Sequence, residues 1–335
     1  MFVPDNDEYN YMTDIVGYNK YYGWYQGEAE DFGPWMDQFH ATNPNVCLGI
    51  SEYGAEGILQ YHSDEPKVKD YTEEYHALYH EKVWKAFSER PYLWSTYVWN
   101  MFDFGANIRD EGGVQGRNNK GLITYDRKIK KDAFFMYKAN WSDEKVLHIA
   151  SKRYFDRADE VITVKIYSNC DEVTLYVNGT EVGTKTGEDR IFLFENVALQ
   201  DGLNEVKAVA GDLEDVALFN KVEEANPSYV CPESDSGGVV ANWFEMPADL
   251  GDVVIEDIEI TDDVYSTRCS FGELFKNAEA KAVVSKYLAG FSEEHPMFGM
   301  AEGMPIDMLA SMAEDMFTKE LMYLLNKELT KIKKA

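Results

Sequence analysis

The run Leu48-Gly49-Ile50-Ser51-Glu52-Tyr53-Gly54 is a short apolar stretch that ends on a carboxylate, with a glycine two places on. A buried strand stopping at Glu52 presents one acid at the mouth of a sheet. Two aromatic residues stand in the same relation to neighbouring segments. Tyr21 follows an earlier strand-like run and opens the aromatic loop Tyr21-Tyr22-Gly23-Trp24-Tyr25, and Trp99 closes a later run. A phenol beside a carboxylate holds it ionised and orients it, and an indole face is a platform for the C–H face of a sugar. Asn19 and Asn100 add amides able to bind hydroxyls, and Gly116-Arg117-Asn118-Asn119-Lys120-Gly121 adds groups for hydroxyls or a carboxylate. Taken singly, each aromatic reads as core packing and the glycine-flanked cluster as a solvated loop. Their coincidence at strand ends is what points to carbohydrate chemistry.

The elements that must position these residues follow from periodicity. Residues 14–19, 46–51 and 93–99 read as strands, the last apolar enough to be buried on both faces. Residues 34–42, 70–89 and 131–139 read as helices, the long one with Tyr71, Tyr75, Leu78, Tyr79, Val83, Trp84 and Phe87 on one side. Alternating strands and helices predict an α/β arrangement, a parallel sheet covered by helices, with its active edge at the strand ends. Only three such units are present, whereas a closed eight-fold barrel takes about 250 residues.

The pattern changes near residue 150. Residues 161–167 and 173–177 alternate with period two, the second run meets Asn178-Gly179, and further strand-like runs lie at 190–194 and 204–210. Short strands at this spacing predict an all-β sandwich of immunoglobulin type. Residues 226–240 read as a linker. Ser270-Phe271-Gly272-Glu273 fits a capping box ahead of a helical tail, in which the methionines between Met297 and Met322 read as core filling. The expected divisions are 1–145, 146–225 and 226–335.

A formal charge of −28 argues against nucleic acid and anionic membrane as partners. No apolar run approaches the ~20 residues of a membrane span, and no signal peptide is visible from Met1 to Met12. The four cysteines are far apart and match no metal spacing. Free thiols in a reducing compartment follow, and with them a cytoplasmic location. His76 and His80 have a metal-compatible i, i+4 spacing but suggest no third ligand, so no metal site is assigned and no cofactor is expected.

Residues 19–25, Ile50-Ser51-Glu52-Tyr53-Gly54, Trp99-Asn100-Met101-Phe102-Asp103-Phe104 and residues 118–127 resemble, in order, the last third of the catalytic barrel of glycoside hydrolase family 2. The segment after it resembles the immunoglobulin-like domain that follows the barrel in many bacterial members. The resemblance implies a partial (β/α)8 barrel made of its last three units, then the sandwich and a small helical domain. It also implies a retaining mechanism with Glu52 as nucleophile and Tyr21 as its contact, and Asn19, Tyr25, Trp99, Asn118 and Lys120 as sugar-binding residues. The family's acid/base is the glutamate of an Asn-Glu pair. The only such pair here, Asn204-Glu205, falls in the sandwich region.

The expected partners are therefore a β-galactoside or related carbohydrate and the missing N-terminal part of the enzyme, with a homo-oligomer left open. The Asn118-Asn119-Lys120 form fits both β-glucuronidases and β-galactosidases of this family, and a galactoside is expected ahead of a glucuronide. The pure 335-residue chain should not turn over a nitrophenyl galactoside. Turnover abolished by Glu52→Gln would overturn that expectation.

Overall fold

The computed structural model describes Asp5 and residues 7–232, 250, 253–294, 298–312 and 317–334. Contacts divide the chain into two compact units, one of Met1–Gly105 with Arg117–Glu233, the other of Ala106–Gly116 with Ser234–Ala335.

The first unit opens with three strands, β1 (Ile15–Asn19), β2 (Cys47–Tyr53) and β3 (Thr96–Val98), paired in parallel in that order. Helices α1 (Phe32–Thr42), α2 (Glu73–Ser88) and α3 (Asp132–Trp141) accompany them. Leu48, Ile50 and Tyr53 are fully buried on the helix side. There Tyr53 meets Phe87 edge-to-face at 4.8 Å, and Tyr137 donates to the Tyr53 hydroxyl at 3.2 Å. The opposite face is open: Ile15 is 48%, Trp94 40% and Tyr97 50% exposed. The expected two-sided burial of residues 93–99 is therefore not found. The run forms an edge strand shorter than expected, and only its helix-facing side is covered.

Between β3 and α3 lies a two-stranded hairpin, β4 (Phe104–Glu111) with β5 (Val114–Asn118), which periodicity did not suggest. Beyond α3, two sheets share one apolar core. One is β10 (Thr180–Thr186), β9 (Glu172–Val177), β12 (Gly202–Ala210), β13 (Leu213–Lys221) and β7 (Asp156–Arg157). The other is β11 (Ile191–Ala198), β8 (Val161–Ser168) and β6 (Leu147–Ile149). Asn178 and Gly179 take φ of +50° and +79°, the geometry of the tight hairpin joining β9 to β10. β10 escaped the sequence reading because nearly every residue in it is exposed, so no alternation marks it.

Polar clamps tie this sandwich to the helices. Arg153 pairs with Glu73 at the start of α2. Asp132 accepts from the Ser151 amide at 2.6 Å and meets His148 Nε2 at 2.9 Å. Lys165 and Tyr167 both engage Glu81. The start of the expected linker is also docked here, since Tyr229 packs against His62 and Tyr154. Residues 233–249, which hold the rest of that linker, lie outside the described residues.

The C-terminal part of the second unit is helical: α4 (Phe271–Lys276), α5 (Ala278–Tyr287), α6 (Phe298–Ala301), α7 (Ile306–Met312) and α8 (Lys319–Leu329) accompany a core of Phe271, Leu274, Val284, Leu309 and Leu325. Ser270 Oγ caps α4 by accepting from the Glu273 amide, as its sequence predicts. Met304 and Met322 pack against this core, while Met297 and Met316 lie outside the described residues.

His76 and His80 are buried one turn apart on α2, with ring centroids 4.7 Å apart. Burial pushes His80 down to about 3 and His76 well below its usual value. The unfolded chain therefore takes up these protons first as pH falls below about 6.5. Each histidine costs about 1.4 kcal/mol of stability per pH unit until its folded pKa is reached. His80→Gln should flatten the fall of stability between pH 6.5 and 4 by about that slope, as read by urea denaturation at stepped pH.

Candidate active site

The site is built where β2 ends. Tyr18 of β1 pairs with Ile50, but Asn19 pairs with Glu52. On the other side Ile50 pairs with Thr96 and Tyr53 with Val98. β2 thus carries one residue more than either neighbour between Ile50 and Tyr53, which is a β-bulge. Strict alternation from Leu48 and Ile50 would send Glu52 among the helices. The bulge hands the helix side to Tyr53 and leaves Glu52 half-buried on the other side.

Glu52 is held at both its backbone and its side chain. Lys20 N donates to the Glu52 carbonyl at 2.9 Å. The Tyr21 hydroxyl donates to Glu52 Oε2 at 2.8 Å. Burial, with the Glu52 charge next, raises the Tyr21 pKa far above its usual value, so the phenol stays protonated and remains a donor. Such a bond stabilises and aims the carboxylate while leaving its second oxygen for other work. Asn19, exposed beside it, accepts from Ser51 Oγ at 2.8 Å.

The aromatic loop connects this acid to the basic cluster. Tyr25 lies 5.2 Å from Tyr21, ring to ring, and its hydroxyl accepts from Lys120 Nζ at 2.7 Å. Lys120 is buried, and its ammonium also donates to Glu56 Oε1 at 2.9 Å. Asn119 donates to Glu56 Oε2 through its amide nitrogen at 3.1 Å and its side chain at 3.3 Å. Asn118, buried as well, turns its carbonyl back to accept from Lys120 N at 3.0 Å.

Trp99 reaches the same place through its backbone. Its amide donates to Tyr53 O at 2.8 Å, its peptide bond to Asn100 is cis, and its ring stands edge-on to Phe104 at 5.7 Å. Gly54 permits the approach, because a Cβ there would lie 2.0 Å from the Trp99 carbonyl oxygen. Residues 100–103 and 120–123 then run side by side: Asn100 N donates to Lys120 O, Leu122 N to Asn100 O, Ile123 N to Met101 O and Asp103 N to Ile123 O. The structure thus brings Tyr21, Tyr25, Glu52, Trp99, Asn118 and Lys120 to one sheet edge, with Asn19 at its margin.

Sequence reading missed the groups beneath. Lys131 is fully buried and gives its three protons to Gly57 O (2.7 Å), Asp103 Oδ1 (2.8 Å) and Asn119 O (2.8 Å). Asp103 Oδ1 also accepts from Gly121 N at 2.8 Å. Burial pulls the Lys131 pKa down and the Asp103 pKa up, and each partner's charge works against that pull. One signal was available: a lysine at the N-cap of α3 opposes the helix dipole, which suggests a tertiary role. Glu56, held between Gly54 and Gly57 and now paired with Lys120, was legible only as a second acid four places after Glu52. Asn204-Glu205 sits in β12, where Asn204 bonds to Gln200 and Gly202 carbonyls, so it takes no part in this site. Among the described residues no cluster of three or more His, Cys, Asp or Glu side chains could hold a metal ion.

The chain is similar in sequence or in structure to several known proteins. The FMN-binding β-glucuronidase from Facaelibacterium prausnitzii L2-6 is 53% identical with a TM-score of 0.67, over 68% of this chain and 35% of its own. A β-glucuronidase of Bacteroides fragilis is 37% identical over 205 residues, 59% of this chain and 30% of the relative. The β-galactosidase BoGH2A of Bacteroides ovatus is 26% identical over 132 residues, 39% of this chain and 15% of that protein. A domain of unknown function, DUF4982, matches residues 159–215 in the sandwich. Over about 60% of its length the chain is similar to β-glucuronidases and β-galactosidases of the glycoside hydrolase family 2 type, and the match fits a C-terminal portion of such an enzyme. It spans about a third of the length of the two β-glucuronidases.

Lys131→Met should lower stability by about 3–5 kcal/mol, because it strands the Asp103 carboxylate and two carbonyls without a donor. The double variant Lys131→Met/Asp103→Asn should recover part of that loss in urea denaturation. A loss below about 1 kcal/mol would show that the clamp is not needed.

Proposed function

We propose that this chain supplies the nucleophile side of a retaining β-glycosidase site that acts on β-glucuronides. The observation that carries the reading is the Tyr21 hydroxyl held 2.8 Å from Glu52 Oε2 at the bulged end of β2. A carboxylate so aimed attacks the anomeric carbon. The bond to the aglycone oxygen breaks as a second carboxyl group protonates that oxygen, and the same group then activates the water that releases the sugar. We assign the second carboxyl to a part of the enzyme outside these residues, since the chain's one Asn-Glu pair is in the sandwich. The open face and edge strands of the β1–β2–β3 sheet would receive the remaining barrel strands.

The acidic sugar is favoured by Lys120. Among the described residues its ammonium partners are Glu56 and Tyr25, which leaves one of three protons for a ligand carboxylate. Most of the relatives that match over more than half of the chain bear the name β-glucuronidase, and this moves our reading from the galactoside that the motifs alone placed first, although a putative β-galactosidase of Bacteroides fragilis, 39% identical, also matches over 64% of the chain. A neutral galactoside stays as the second reading on the strength of BoGH2A.

A 2-deoxy-2-fluoro-β-glucuronyl fluoride needs no acid to expel its leaving group, so it isolates the nucleophile. In the enzyme containing this chain it should leave a stable adduct mapped by mass spectrometry to Glu52 and absent from Glu52→Gln. An adduct on another residue would remove Glu52 from the role. Faster labelling by the galactosyl analogue would favour the second reading.

A further inference from the structure

We propose that the sandwich serves the site as a positioning module: Arg157 of β7 grips the loop that follows β2, and that loop in turn holds the aromatic pair Trp24 and Tyr25. The inference deepens the glycosidase reading and rests on it for its kinetic consequence alone.

Residues 54–72 carry the chain from β2 to α2 with no helix or strand of their own. Two bonds close the neck of this loop, Ile58 N to Tyr71 O at 2.8 Å and Glu73 N to Tyr61 O at 3.2 Å. One end of the loop lies against the site. Lys69 Nζ stands 4.5 Å from the Trp24 ring centroid and 4.6 Å from that of Tyr25, and Tyr71 meets Trp24 edge-on at 5.2 Å. Tyr25 accepts from Lys120 and packs on Tyr21, the donor to Glu52. Lys69 and Tyr71 hold left-handed backbone, with φ of +68° and +57°, a conformation that non-glycine residues keep only when their surroundings enforce it.

The other end of the loop is gripped by the sandwich. Arg157 Nη1 donates to Asp64 Oδ1 at 2.9 Å, and the Tyr154 hydroxyl donates to Asp64 Oδ2 at 2.7 Å. His62 stacks on the Tyr154 ring at 5.3 Å, and its amide donates to Tyr229 O at 2.9 Å. Arg157 is itself anchored. Its Nε donates to Tyr154 O at 2.7 Å, its Cζ lies 4.9 Å from the ring of Phe219 in the sandwich core, and its strand pairs with β13. Only 3% of Arg157 is exposed. Burying a guanidinium is costly, and packing alone would be served as well by an apolar side chain. What arginine adds is a charged donor in fixed geometry, and the carboxylate that it meets belongs to the loop.

The test is hydrogen–deuterium exchange of the full chain, read by mass spectrometry. Asp64→Ala should speed exchange at residues 62–72 on the order of tenfold and leave residues 161–210 within about twofold. The amides of Trp24 and Tyr25, both bonded to Tyr21 O, should quicken as well. The double variant Asp64→Ala/Arg157→Met also removes the charge left unpaired, so it should melt no lower than Asp64→Ala and yet show the same loosened loop. Asp64→Glu should restore part of the protection. In the enzyme containing this chain, the substrate is whichever of a nitrophenyl β-glucuronide and β-galactoside it hydrolyses. Asp64→Ala should raise KM about fivefold with kcat within about twofold, because Glu52 keeps its bond to Tyr21. Unchanged exchange at residues 62–72 in both variants, or equal quickening of loop and sandwich, would overturn the grip. A loosened loop with KM and the amides of Trp24 and Tyr25 unmoved would overturn the positioning role. An enzyme that hydrolyses neither glycoside would sink the glycosidase reading, and the two amides would then decide the positioning role.

Discussion

The ammonium of Lys131 is the point on which the site depends. Its three protons go to Gly57 after β2, to Asp103 after Trp99 and to Asn119 in the basic cluster. Gly57, Asp103 and Asn119 each lie in irregular backbone outside the named strands and helices. A buried charge without partners would be costly, so the loops must converge on it with good geometry or the fold loses several kcal/mol. Asp103 extends the clamp by accepting from Gly121, which locks the register in which residues 100–103 and 120–123 lie side by side. Glu52, Trp99 and Lys120 thereby meet on a common frame.

Above this clamp, two smaller devices set the chemistry. The bulge between Ile50 and Tyr53 turns Glu52 out of the helix side, where its charge would be desolvated, to a place where Tyr21 can bind it. Gly54 lets the backbone of Trp99 pass close behind. The Lys120–Glu56 pair places a cation in the site and cancels it in the same step.

Much of the first unit was legible in the sequence. The 3.6-residue period of α2, the apolar run of β2 and the Asn178-Gly179 turn each act locally, through side-chain spacing or a left-handed backbone preference, so sequence shows them directly. The strand at β3 was over-read, because an apolar run with aromatics does not reveal whether both faces are covered. β10 and the β4–β5 hairpin were missed for the converse reason: they are strands by pairing, with little burial pattern of their own. Of the stretch read as a linker, 226–240, the described residues 226–232 are largely exposed, but Tyr229 meets the rings of His62 and Tyr154, distant residues that its local sequence does not reveal.

The sequence by itself determined the residue types and their order: an acid at the end of an apolar strand, a tyrosine and a tryptophan at neighbouring ends, and an Asn-Asn-Lys cluster after them. Those follow from local periodicity and from motif order, and they were enough to single out Glu52. Only the tertiary structure decided which way Glu52 faces, since a bulge is a difference in count between paired strands and has no signature in one strand alone. It also decided that Lys131 and Glu56 matter, because a buried ion pair is recognised by its partner, and here the partners lie 28 and 64 residues away along the chain.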